Sequence, residues 1–311
     1  MNISGFLISM QGAVAQGILW GILVLGVYIT FKILNIADMT VDGSFALGGS
    51  VCAILVTERG WNPFLVALIS MLAGMLAGLV TGILHTVFDI PSILAGILTQ
   101  LGLWSINLRL MGMSNIPLKK SVTMFSGFSS LTSASNNWSA LIVGAVVAII
   151  VIVILYWFFG TELGSSLRAT GNNEDMIRAL GSNTKVTKIF ALCISNGLIG
   201  LAGGLVCQQQ KYADINMGQG AIVIGLASIV IGEVLLGRFR SFYSKLISAV
   251  LGSVVYFIIR AIVIRMGMDA NDMKLFSAVF VALALSIPVA VSKWRIKKAY
   301  SEDGGHQDAK N

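Results

Sequence analysis

Asp38, Thr40, Asp42 and Ser44 alternate along the stretch Ala37–Ser44, which opens an apolar run in a chain that is only 11% charged. Oxygen-bearing side chains at that spacing can do one of two things. They can line a polar site, where the unpaired N–H groups of the following helix meet an anionic or hydroxyl-bearing solute from the positive end of the helix dipole. Alternatively, Asp38 or Asp42 simply caps that helix. A second stretch, Ala213-Asp214-Ile215-Asn216-Met217-Gly218-Gln219-Gly220, opens a later Gly-interrupted apolar run. Asn35, Asn216 and Gln219 extend the candidate set. Either the two stretches are corresponding points of an inverted internal repeat, or their likeness is a coincidence of turn chemistry.

The elements that must position these groups follow from composition. The 311 residues are 56% hydrophobic with mean hydropathy +0.86, more apolar surface than a soluble core of this size hides, so lipid must cover the rest. Continuous runs of bilayer-spanning length predict nine helices: Ser9–Phe31, Thr40–Leu55, Pro63–His85, Ser92–Met111, Ala140–Phe159, Ile189–Gln208, Gly220–Leu236, Leu246–Met266 and Leu275–Val291. A β-barrel would alternate apolar and polar residues over about ten positions, which these runs do not. The expected fold is an all-α polytopic membrane protein with residues 1–292 as one transmembrane domain, a water-facing loop at 161–188 and a basic, then polar, tail at 293–311. Five spans separate the two echoing stretches, so an inverted repeat would place them in opposite topology.

Most of the 21 Lys and Arg fall on one side if the C-terminus is cytoplasmic, which puts the 161–188 loop and the tail inside. No basic segment precedes the first span, and the first charge is Lys32, so no cleavable signal peptide is expected. Cys52, Cys193 and Cys207 lie within predicted spans and read as apolar fillers. His85 and His306 are too few and too separated for a metal site, no nucleophile has a partnered base, and no cofactor is expected. The net charge of +7 is topological and does not point to nucleic acid.

Small residues four apart mark faces for close helix approach: Gly74, Gly78 and Gly82; Gly17 and Gly21; Gly200 and Gly204. They read as seams within the chain, or for one of them a dimer interface. Gln100 and Asn107, seven apart on one helix, share a face that could project toward a pathway. Glu233 and Arg260 are expected to pair across neighbouring helices, and each of these polar groups could equally be helix-to-helix glue.

The loop Thr161–Lys188 stands out as a polar, mixed-charge island. Asn172 or Asn173 is a plausible N-cap for a short helix with Glu174 and Asp175 in its first turn, apolar members Met176, Ile177, Ala179 and Leu180, and Gly181 as C-cap. About two turns cannot be stable alone. Such a helix suits a groove on another protein.

Three motifs carry a resemblance: LNIADMTVDGSFALGG at Leu34–Gly49, GSSLRATGNNEDMIRALGSNTKVTK at Gly164–Lys188 followed by Gly200–Leu205, and GQGAIVIGLASIVIG at Gly218–Gly232. Together, over nearly the whole chain, they resemble the permease subunits of bacterial ATP-binding-cassette importers of the branched-chain amino acid and ribose permease type. The resemblance implies that Arg168, Ala169, Gly171, Glu174, Asp175, Ala179, Leu180 and Gly181 form a cytoplasmic coupling element that docks on a separate ATPase. It further implies two ATPase copies, an extracytoplasmic solute-binding protein, a homodimer or pseudo-symmetric pair, and a place in the bacterial plasma (inner) membrane. Asn35-Ile36-Ala37-Asp38-Met39 departs from the Asn-Phe-Ala-His-Gly of branched-chain members and is more similar to a subgroup associated with aromatic amino acids such as tryptophan or tyrosine. The chain has no G-x-x-x-x-G-K-[ST], so hydrolysis would lie in the partner and the chain itself is not expected to be an enzyme. The competing reading is an ion-coupled secondary transporter using Asp38, Asp42 or Glu233.

Overall fold

The computed structural model describes residues 3–118, 121–132, 136–236 and 241–268, with scattered positions between 272 and 294. In chain order the helices are α1 (Ile3–Tyr28), α2 (Val41–Thr57), α3 (Pro63–Thr86), α4 (Ser92–Met111), α5 (Met124–Thr132), α6 (Asn136–Gly160), α7 (Glu162–Asn172), α8 (Glu174–Ala179), α9 (Thr184–Gln210), α10 (Ala221–Leu236) and α11 (Phe242–Arg265). Two short strands, β1 (Asn115–Pro117) and β2 (Tyr212–Asp214), pair antiparallel with Asn115 opposite Asp214. Among the described residues, six helices are long and apolar enough to cross a membrane: α1 with its continuation to Ile33, α3, α4, α6, α9 and α11.

Two of the nine expected spans take a different form. α2 and α10 are shorter apolar helices; at 1.5 Å per residue, α2 is about 25 Å long, less than the roughly 30 Å of a hydrocarbon core. The ninth span, Leu275–Val291, and the tail lie largely outside the described residues. Neither the short helix α5 nor the strand pair was expected: α5 is far shorter than a span and packs mainly on its sequence neighbour α6, and the strand pair depends on a partner far away in sequence. Leu118 N–H donates to the Lys211 carbonyl and Ile215 N–H to Ser114, so the connections before α5 and before α10 hold each other.

Packing follows the glycines. α9 and α1 are the most enclosed long helices, whereas α4 and α6 bury little. On α3, Leu65, Leu68, Leu72, Leu76 and Leu79 are exposed at helical spacing, a face for lipid. The opposite face carries Gly74, Gly78 and Gly82, where an added Cβ would strike the backbone or side chains of Asn196, Leu192 and Ile189 on α9. Gly200 on α9 lies against Ser70 and Gly74, so two seams read separately in the sequence are the two sides of one interface. Gly17 and Gly21 meet Val254 and Val250 on α11. All three seams close within the chain.

Gly78→Val should lower stability by about 1–3 kcal/mol, since the branched side chain must push α3 away from an α9 backbone that cannot yield. Gly12→Ala on α1, with nothing within 4 Å of the new Cβ, should be neutral or stabilising by up to about 1 kcal/mol. Thermal unfolding of the two purified variants checks this, and equal midpoints would contradict the seam.

Candidate functional site

The chain leaves α1 through a π-helical turn at Ile29–Ile33 and reverses at Asn35, which is left-handed at φ 55°. Asn35 Nδ2 donates to the Gly171 carbonyl at 3.0 Å, tying this reversal to the end of α7. From there the backbone runs without regular structure to α2. Asp38 Oδ1 accepts from Thr40 N–H at 2.8 Å, and its Oδ2 accepts from Asn196 Nδ2 at 2.7 Å. Asn196 sits near the middle of α9, so α2 begins inside the bundle, not at its surface. Ser44 Oγ donates to Asn196 Oδ1 at 2.6 Å, and the Thr40 and Thr81 hydroxyls lie 2.7 Å from each other.

Asp38, Thr40, Ser44 and Asn196 are all buried. Asp38, Thr40 and Ser44, from the sequence-derived set, are therefore tied to one another, to Asn196 on α9 and to Thr81 on α3. Asn196 had not been singled out, although an Asn beside Gly197 inside an apolar run was a signal for it.

Asp42 behaves differently. It lies in the first turn of α2, yet its carboxylate accepts from Gly220 N–H at 2.9 Å and Ile222 N–H at 3.1 Å. It thus caps α10, where the alternatives from sequence were a polar site or a cap for its own helix. The two shorter helices meet N-terminus to N-terminus through this side chain, and the acid neutralises the positive end of α10.

Beside this junction is a cavity of about 160 Å³ lined by Asp42, Gln100, Trp104, Asn107, Asn216 and Gln219. Five of the nine pathway candidates converge here from α2, α4 and the turn before α10. Asn216 N–H donates to Asp214 Oδ1 at 2.8 Å, and Gln219 Nε2 donates to Asn216 Oδ1 at 3.1 Å. Asn107 is buried with both side-chain amide atoms unpartnered among the described residues, an arrangement that costs about 1–3 kcal/mol per group unless something else satisfies it. Trp104 was missed, since an aromatic on an apolar helix looks like lipid contact.

The expected pair of Glu233 with Arg260 does not form. Glu233 bonds Lys32 at 2.8 Å, joining the ends of α1 and α10, and the Arg260 guanidinium sits 5.7 Å from the Phe257 ring centroid. Charge alone could not choose between these partners. Cys52, Cys193 and Cys207 are buried, and no cluster of three metal-ligating side chains occurs among the described residues.

The polar island resolves into two helices. Thr161 Oγ1 accepts from Gly164 N–H to start α7, and Asn173 Oδ1 accepts from Met176 N–H at 3.0 Å to start α8. Gly181 takes φ 83°, a conformation suited to glycine, just past the last turn. Arg168 donates to the Phe159 carbonyl at 2.6 Å and lies over Phe242, Ala169 is half-buried, and Gly171 is packed against Ile33 and Leu34. Glu174 bonds Lys188, Thr184 and Arg178. The Lys188 hydrogen bond foremost holds its carboxyl below the ordinary value. Asp175, Met176, Ala179, Leu180 and Gly181 face outward, while Ile177 points in. Half of the sequence-derived set thus seats the island on the bundle, and half is free for another surface.

Long apolar helices around a buried polar junction, with the helix pair α7–α8 anchored beside them, fit a multi-pass membrane protein. Residues 9–287 match the family described as the branched-chain amino acid transport system permease component, and the chain belongs to that family. It is an importer permease of the ATP-binding-cassette class and not an enzyme. The tyrosine transport system permease protein of Clostridioides difficile is 40% identical over 271 residues, covering 87% of this chain and 88% of that protein. An uncharacterised protein of Rickettsia prowazekii is 31% identical over 279 residues, covering 88% and 95%. The autoinducer 2 import system permease protein LsrC of Salmonella paratyphi B is 25% identical over 225 residues, covering 68% and 60%. No solved structure matches. Family membership stands against the ion-coupled carrier.

Proposed function

We propose that this chain is the transmembrane subunit of an ATP-driven importer of an amino acid, with an aromatic one such as tyrosine as solute. The observation that carries it is the split character of the 161–188 island, firmly seated on one side and offering Met176 and Leu180 to water on the other. A surface of that kind suits a partner that must move the bundle. In this reading two ATPase copies grip the α8 helices of a homodimer, and an extracytoplasmic binding protein delivers solute. Residues 1–292 act as one permease domain in the bacterial plasma (inner) membrane, and the tail at 293–311 lies in the cytoplasm.

Closure of the ATPases would push α8 and α7, and the Asn35–Gly171 contact would pass the displacement to the break before α2. The path would run past Asp42, Gln100, Asn107, Asn216 and Gln219, with Asp38, Thr40 and Ser44 as the hinge that α2 turns on. The meeting of the two short helices α2 and α10 at Asp42 supports the inverted-repeat reading, in which a solute binds near the bilayer midplane. Proteoliposomes holding the chain with its ATPase, supplied with binding protein and labelled L-tyrosine, test this reading. Uptake should require ATP and survive collapse of ion gradients; uptake that follows the gradient and ignores ATP would reject it.

A further inference from the structure

A larger cleft of about 820 Å³ lies between α1, β2, the start of α10 and α11, with Gln16, Trp20, Asp214, Gln219, Arg260 and Ser277 among its lining. Its size is that of a small-molecule site. Arg260 lies within α11, an apolar helix, and has no carboxylate partner among the described residues. A cation in a spanning helix is costly to keep and marks function by default. Trp20 is 6% exposed, and its Nε1–H finds no acceptor among the described residues. The rings of Trp20 and Phe257 have centroids 5.4 Å from each other, and the Arg260 guanidinium lies 5.7 Å from the centroid of the same phenyl ring. Asp214 supplies the opposite charge from β2, held by Asn216 N–H and Asn115 Nδ2. Gln219 lines both this cleft and the Asp42 cavity.

We propose that this cleft is a recognition site for a zwitterionic amino acid, entered before the Asp42 cavity. Arg260 and the Trp20 N–H take the α-carboxylate, and Asp214 takes the α-ammonium. Two N–H donors near one phenyl ring suit a planar anion, and an acid in the same lining suits the cation that travels with it. Gln219 then hands the solute inward. The site rests on the amino-acid reading above and adds to it the atoms that recognise the backbone of the solute.

The test is calorimetric binding to the purified permease–ATPase complex, using L-tyrosine, tyramine, which lacks the carboxylate, and 3-(4-hydroxyphenyl)propionate, which lacks the ammonium. The wild-type complex should prefer tyrosine over either by at least about tenfold. Arg260→Gln should erase the preference over tyramine, and Arg260→Lys should keep some of it. Trp20→Phe preserves the ring contacts with Phe45 and Phe257 and should weaken tyrosine binding severalfold. An Arg260→Gln complex that still prefers tyrosine over tyramine as strongly as wild type overturns the proposal. So does a wild-type complex that binds no tyrosine while ATP-dependent tyrosine uptake continues, and that result leaves the importer reading standing. Absence of ATP-dependent tyrosine uptake removes the reading and the site together.

Discussion

Replacing Met176 and Leu180 together with Asp should reduce ATP-driven uptake to background, a loss of at least about a hundredfold, while leaving the membrane bundle folded. The two side chains are 51% and 73% exposed, four residues from each other on α8, so the bundle gains almost nothing from them. A groove that covers them gains about 1.5–3 kcal/mol for each, and it would now have to bury two carboxylates. Since each 1.4 kcal/mol is a factor of ten in affinity, the ATPase should dissociate at working concentrations. Size-exclusion profile and thermal midpoint should match wild type, and ATPase co-purification should be lost. Ala179→Arg should act in the same direction by placing a charge on the same outward surface. Normal uptake with a normally assembled ATPase would show that α8 is not the docking helix.

Asp42→Ala should be the most destabilising single change at the interior junction. It strands the Gly220 and Ile222 N–H groups, which are partly buried, at up to about 1–3 kcal/mol for each donor left unpaired. It also removes the anion that faces the positive end of α10. Asp42→Asn keeps one acceptor oxygen and should recover roughly half of the loss. Because Asp42 also lines the cavity shared with Gln100 and Asn107, Asp42→Asn should in addition shift the half-saturating solute concentration of uptake. Thermal unfolding and concentration-dependent uptake separate the two effects. Unchanged solute dependence with lowered stability would reduce Asp42 to a cap alone.

Much of the bundle was legible because its signals are local. Ser92–Met111 and Pro63–Thr86 end where a Pro, a Gly or a polar turn interrupts an apolar run, and those interruptions are visible without any fold. The α8 start at Asn173 was legible for the same reason, since a capping side chain reaches only two or three residues along its own chain. The strand pair was not, because β1 is three residues long and has no partner until β2 arrives from far along the chain. Hydropathy also read α2 and α10 as full spans, because it registers apolar length and not the depth at which a helix begins.

The sequence by itself therefore determined the class of molecule, the approximate ends of its helices, the faces able to pack closely and the existence of a water-facing helix in the 161–188 loop. Tertiary structure alone decided the pairings: Asp42 with the start of α10, Glu233 with Lys32 and not Arg260, the α3 glycines with α9, and Asn107 with a cavity. The physical reason lies in range. Burial in lipid and helix capping act on a residue through its immediate neighbours, whereas a carboxylate or an amide takes whichever donor the packed bundle brings within about 3 Å, and lipid tails offer no preference to steer that choice.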